Sequence, residues 1–187
     1  MQHLGTKTLY TKRLTLRRFT PEDAEAMFQN WANDPDVTRF LTWPVHKSPE
    51  ESRALLREWC PNYADVRYYH WAIVYGQPIG SIGAVRLSDQ LELAHIGYCI
   101  GKRWWRQGVM SEALQAVIDF FLREVGLNRV EARHDPRNPH SGGVMRKCGM
   151  QYEGTLRQAD RNNQGLCDAA MYALLARDYF AASAEEK

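Results

Sequence analysis

Polar and apolar positions alternate at the start of the chain, where Leu14 and Leu16 interleave with Thr15 and Arg17, and this period of two predicts a strand over Leu9–Arg18. The period then lengthens. Thr20-Pro21-Glu22-Asp23 reads as a helix start, with Ala24, Met27, Phe28 and Trp31 forming one apolar stripe that ends near Asn33. Ser48-Pro49-Glu50-Glu51 launches a second helix through about Trp59. Three runs, Tyr69–Tyr75, Ile79–Leu87 and Leu91–Ile100, are separated by Gly76-Gln77-Pro78 and Ser88-Asp89-Gln90, the pattern of an antiparallel meander. The longest helix is predicted over Gly108–Val125, followed by a short strand at Arg129–His134. A helix opened by Asn138-Pro139 comes next, then two strands at Gln151–Gln158 and Cys167–Ala176. Residues 1–8 and the tail Ala181–Lys187 are unpatterned and read as loose ends.

The order β-α-α-β-β-β-α-β-α-β-β predicts an α/β fold of the α+β type with a mostly antiparallel sheet of about seven strands and about four helices. It lacks the strand–helix alternation of a doubly wound nucleotide fold. With 187 residues and no repeat or linker, one domain over 1–187 is expected, with its core at about 9–180. Lys and Arg number 24 against 22 Asp and Glu, so a nucleic-acid partner held by bulk charge is not expected. No apolar run is long enough for a membrane span, and the N-terminus lacks a signal core. Cys60, Cys99, Cys148 and Cys167 are far apart, which argues against a zinc site or a disulfide framework and for a reducing, cytoplasmic setting.

Two stretches carry candidate chemistry. The first, Gly97 to Leu114, runs strand, basic aromatic loop, glycine, helix. Free N–H groups and the helix dipole meet at Gly108, beside Lys102, Arg103 and Arg106, and favour an anion. It is neither a P-loop nor GxGxxG. The second, His134 to Gly154, places Asn138 and Ser141 at the start of the next helix.

In combination these stretches resemble the GCN5-related N-acetyltransferase (GNAT) superfamily, and within it the RimJ/RimL-like group that acetylates ribosomal-protein N-termini. Gly97-Tyr98-Cys99-Ile100 is similar to that group's strand, and Arg106-Gln107-Gly108-Val109-Met110-Ser111-Glu112-Ala113-Leu114 to its pyrophosphate loop. Asn138, Ser141, Lys147-Cys148-Gly149-Met150 and Glu153-Gly154 match the next motif, Asp168 and Tyr172 the closing strand, and Leu14 to Arg17 the opening one. Three residues depart from the pattern. Met110 stands at a usually small position, Met150 at an aromatic one, and His95 where the strand is often acidic.

The resemblance implies a GNAT fold with a splayed central parallel pair, and direct acetyl transfer from acetyl-CoA to a primary amine, with no metal. Tyr98, Cys99, Ile100, Arg106, Gln107, Gly108, Val109, Met110, Ser111 and Asn138 would hold the cofactor, and Ser141 would meet the departing thiolate. The base is left among Glu92, His95 and Asp135. Phe40, Trp43 and Tyr69, from an aromatic loop and the Tyr68-Tyr69 pair, would line the acceptor side. The acceptor would be a protein N-terminus or amino-acid-like amine, with a polyamine or an aminoglycoside as the alternative. Two other classes stay open: a non-catalytic CoA-binding module, and an RNA-binding surface on Trp104 and Trp105. A homodimer is also left open.

Overall fold

The computed structural model describes residues 1–185. The expected opening strand is two strands, because β1 (Leu9–Tyr10) turns back onto β2 (Thr15–Arg17). Side-chain bonds set the break: Thr11 Oγ1 accepts from the Leu14 N–H at 2.9 Å and donates to the Glu112 carboxylate at 2.6 Å. The first helix begins as a 3-10 turn at Pro21–Asp23, becomes α1 (Ala24–Met27), and widens to a π turn at Phe28–Ala32. A short helix that the sequence pattern does not predict, α2 (Pro35–Thr38), follows an Asp34 cap. After α3 (Pro49–Trp59) come β3 (His70–Tyr75), β4 (Gln77–Ser88) and β5 (Leu93–Ile100), the expected meander.

The second half alternates strand and helix before it closes on a hairpin. It comprises α4 (Val109–Asp119), β6 (Arg129–His134), α5 (Pro139–Lys147), β7 (Gln151–Asn162) and β8 (Gly165–Leu175). A last helix, α6 (Ala176–Glu185), replaces most of the tail expected to be loose; residues 186–187 of that tail lie outside the described ones. Ala176 and Tyr179 pack against the core, so this end is anchored. The N-terminus is anchored too. The Gln2 amide donates to the Val125 carbonyl, and buried Thr6 donates to the Tyr68 carbonyl at 2.7 Å.

The eight strands form one sheet in the order β1-β2-β3-β4-β5-β6-β8-β7. Every neighbouring pair is antiparallel except β5 and β6. One face, carrying Trp71, Ile73, Ile96 and Val130, buries α4 and the C-terminal end of α5; the other, carrying Ala72, receives Met27, Trp31 and Leu56. The parallel pairing runs only from Leu93↔Arg129 to Ile96↔Ala132. Beyond it β5 stays on β4 as far as Gly80↔Ile100, while β6 follows β8 to His134↔Ala170. The sheet therefore opens at Gly97.

Candidate active site

The α4 N-terminus faces the opened end of the sheet. Arg106 (φ 59°) and Gly108 (φ 72°) both adopt the left-handed conformation, which costs glycine almost nothing and folds the loop back onto the helix axis. Gly108 offers no capping side chain, so the first-turn amides of Val109, Met110 and Ser111 lack intrahelical acceptors. A hollow of about 360 Å³ lies against this turn, lined among others by Arg13, Gln107, Ser111 and Lys147. A Cβ built on Gly108 would lie 3.6 Å from Lys147 Nζ and 3.7 Å from an Arg13 guanidinium nitrogen. Amides, dipole and two cations converge there, Arg13 also pairing with the Glu112 carboxylate at 2.7 Å, and the set fits a diphosphate. The Met110 side chain is buried in the core.

Arg13 and Lys147 are the cations that sequence reasoning missed in this role. Lys102, expected beside the cradle, instead pairs with Asp36. Arg106 donates to His140 Nε2 at 3.4 Å, tying the loop to the first turn of α5. Trp104 is buried against Gly101 and only Trp105 is exposed, so the two indoles do not form a paired stacking surface.

Across the opening, the Tyr98 hydroxyl donates to the Ser141 carbonyl at 3.0 Å and also lies 3.0 Å from Ser141 Oγ. Burial pushes the Tyr98 phenol well above its usual range, so it stays protonated and acts as a donor. Asn138 opens α5 without bonding its side chain to the helix. The turn sits tightly on β6: a Cβ on Gly142 would come within 2.5 Å of His134 Nε2, so any larger residue there would displace the His134 ring.

On the other face of β5, His95 is buried, and its Nδ1 lies 3.0 Å from Glu131 Oε1. Burial pushes the His95 pKa down more than the Glu131 bond lifts it, and the charges of Arg133 and Arg86 push the same way. Burial alone would raise the Glu131 carboxyl, yet bonds from His95 and Arg129 hold it below its usual range. The pair is therefore a neutral imidazole donating from Nδ1 to a carboxylate, which leaves Nε2 as an acceptor. His95 lies one residue before the last β5–β6 pair, at the edge of the opening.

The other two base candidates are not placed for the role. Glu92 sits in the turn before β5 with a positive φ, exposed at the closed end of the parallel pair. Its carbonyl caps the Asn128 and Arg129 amides. Asp135 is buried in bonds from Arg137 and Asn162, and the Arg137 guanidinium holds its carboxyl far below the usual range.

The aromatic loop divides as well. Phe40 and Trp43 are partly exposed, and Trp43 packs against the α1–α3 cluster. Tyr69 is not with them. Its side chain points to the opposite face of β3, is 1% exposed, and stacks on Trp71 and edge-on to Phe121. Strand alternation explains the correction, since Tyr68 and His70 take the loop's face and Tyr69 takes the core. The loop is held by a residue that sequence reasoning passed over. Asn163, in the β7–β8 turn, donates its side-chain amide to the Thr38 and Trp43 carbonyls at 2.8 and 2.7 Å and its backbone N–H to the Leu41 carbonyl at 3.0 Å.

A mixed sheet opened at its one parallel pair, with an anion cradle on one side and a neutral histidine on the other, defines the class as an acyl-transfer fold. Residues 13–151 match the acetyltransferase (GNAT) domain, and the chain belongs to this N-acetyltransferase family. It is 32% identical to the N-acetyltransferase p20 of Bacillus licheniformis over 92% of this chain and 98% of that protein. It is 37% identical to the [ribosomal protein uS5]-alanine N-acetyltransferase of Escherichia coli over 78% and 79%, which places it with the RimJ/RimL-like group. A solved RimL, the ribosomal L7/L12 alpha-N-protein acetyltransferase in complex with coenzyme A, shares the fold at TM-score 0.81 and 23% identity, covering 92% of this chain and 99% of that one.

Proposed function

We propose that the chain transfers acetyl from acetyl-CoA directly to a primary amine, with a protein N-terminus or amino-acid-like amine favoured over a polyamine or aminoglycoside. One observation carries the reading. The opening at Gly97 has the Tyr98–Ser141 pair on one face of β5 and the His95–Glu131 pair on the other. Acetyl-CoA bound in that opening supplies a thioester whose acetyl carbon faces an approaching amine.

The remaining steps belong to the chain. The turn over 106–111, with Arg13 and Lys147, holds the pyrophosphate. Backbone groups of Tyr98, Cys99 and Ile100, freed beyond the last β6 pair, and the Asn138 side chain hold the pantetheine amides. His95 Nε2 accepts a proton from the acceptor ammonium, and the amine lone pair then forms the new C–N bond. As the C–S bond breaks, Ser141 donates a hydrogen bond to the leaving sulfur, with Tyr98 fixing its turn, and the second proton, released from the nitrogen as the amide forms, passes to the thiolate, which departs as the CoA thiol.

The name of the uS5-alanine relative supports a protein amine as acceptor. The structural neighbour described as the microcin C7 self-immunity acetyltransferase MccE in complex with acetyl-CoA and AMP supports the cofactor at fold level. The cytoplasmic setting expected from the sequence belongs to the same proposal. An acetyl-CoA turnover screen over N-terminal peptides, amino acids, polyamines and aminoglycosides, read as free thiol and as acetylated product, tests the reading. Peptides or amino acids turned over ahead of polyamines support it, and preference for spermine contradicts it.

A further inference from the structure

A β-bulge lies beside His95. The β4–β5 pairing runs Ala84↔Ile96 and then Arg86↔His95, so Val85 is one extra residue on β4. Without it Arg86 would fall opposite Ala94, on the face that packs against α4. With it, Val85 and Arg86 both turn to the His95 face. A Cβ built on Gly97 would meet Val85 Cγ1 at 2.8 Å, and Arg86 donates to Glu131 Oε1 at 2.8 Å. We propose that Arg86 is a positioning residue for His95, reaching across β5 to fix the Glu131 carboxylate and to set a cation beside the imidazole. The proposal rests on the acetyl-transfer reading above and names a residue that serves its base.

The register defines the reach. Arg86, His95 and Glu131 stand in one row across β4, β5 and β6. Neighbouring strands lie about 4.8 Å apart, so side chains that bond from β4 to β6 must meet over β5, at His95. There Glu131 Oε1 takes both the Arg86 guanidinium and His95 Nδ1, the latter at 3.0 Å, while Oε2 accepts from Arg129 Nε at 2.9 Å. With both oxygens held, the carboxylate cannot turn away from the imidazole, and Nδ1 keeps its proton. His95 Nε2 makes no hydrogen bond among the described residues and is not sealed from solvent, so it is the nitrogen left for the acceptor.

The surrounding charges single out Arg86. Arg129 is engaged by Glu153 through both of its terminal nitrogens, and Arg133 by a bidentate pair with Asp160 of β7. From β8 the same row brings Ala173, which carries no charge. Among the described residues, Arg86 has no carboxylate other than Glu131, whose Oε1 it shares with His95. Beside burial, which is the larger cause, the Arg133 and Arg86 charges hold the imidazole below its usual range. Removing Arg86 therefore has a definite sign. A proton on His95 would lose a repelling cation and gain an undivided Oε1, while Arg129 keeps Glu131 ionised. The Arg86 side chain is mostly exposed, so the effect is screened and modest.

The test compares the parent with Arg86→Gln and Arg86→Lys, exposed changes whose folding is checked by thermal unfolding. Acetylation of Ala-Gln-Gln-amide gives the pH profile of kcat/KM. NMR of labelled protein without substrate follows the His95 ring, assigned with His95→Gln. In Arg86→Gln the acid limb and the ring titration should both move up in pH. At the pH where the parent keeps half its plateau kcat/KM, this variant should keep about a sixth of its own, roughly a threefold relative loss, with the acetyl-CoA KM within about twofold. Arg86→Lys, which keeps the charge, should restore the parent's midpoint in both readouts. A midpoint in Arg86→Gln that stays or moves down, or a lysine variant that titrates like the glutamine one, overturns the role. A ring titration that follows this order in a protein that releases no thiol with any amine would contradict acetyl transfer and leave the hold of Arg86 on His95 standing.

Discussion

The Tyr98 hydroxyl lies 3.0 Å from both oxygens of Ser141, so a buried phenol on β5 fixes the first turn of α5 across the opened sheet. If that turn serves the leaving sulfur, Ser141→Ala should lower kcat about tenfold to a hundredfold with little change in the acetyl-CoA KM. Tyr98→Phe should produce a smaller loss of the same kind. Steady-state kinetics on the two variants check this, and an unchanged kcat would reduce both residues to a structural pair.

The His95–Glu131 pair gives a pH dependence with a definite sign. A base works in its neutral form, and burial lowers the His95 pKa from the ordinary histidine value. Activity should therefore fall with acid through a pKa below about 6.5 and be level above it. Glu131→Gln should shift this limb, and His95→Gln should remove it along with about a hundredfold in kcat. The pH profile of kcat/KM on the three proteins is the measurement.

His70 supplies a stability prediction on the same face. It is wedged between Phe19 and Trp59, hydrogen-bonded to Ser81, and burial pushes its pKa down to about 4. The unfolded chain takes up a proton near pH 6.5 and the folded chain only near 4. Stability contributed by the neutral ring is thus present above about 6.5 and is lost as pH falls through that window, up to about 3 kcal/mol. His70→Gln should flatten this part of the stability curve, as read by urea unfolding at pH 7, 5.5 and 4.5.

The clamp from Asn163 to the Trp43 loop predicts a separation of effects. Trp43→Ala and Asn163→Ala should raise the acceptor KM several-fold while leaving acetyl-CoA binding nearly unchanged. Loss of cofactor affinity alone in either variant would place the acceptor elsewhere. Calorimetry with CoA beside acceptor kinetics separates the two.

Local pattern carried a good deal of this architecture. Gly108 after a basic loop marked the start of α4 because its signals, a glycine turn and a helical stripe, lie within a few residues of each other. The β3–β5 meander was legible for the same reason. What the sequence concealed depends on contacts between distant residues. The β1–β2 turn is set by Thr11 reaching Glu112, and the cradle's cations, Arg13 and Lys147, meet at Gly108 only after folding. Tyr69 was misjudged because a strand's inward parity is decided by its partners. Glu92 was misjudged because the sequence does not say at which end the parallel pair opens.

Acetyl-CoA binding at the α4 N-terminus, followed by transfer, is the central claim, and Gly108→Glu tests it most directly. This substitution puts a carboxylate where the pyrophosphate belongs and forces a left-handed φ on a side chain. In the parent, acetyl-CoA at 100 times its Kd should stabilise the fold by about 2.7 kcal/mol and support thiol release with a peptide amine. In Gly108→Glu, provided the unliganded protein still melts cooperatively, both effects should vanish. A variant that binds acetyl-CoA as tightly as the parent, or a parent that acetyl-CoA does not stabilise, would contradict the account.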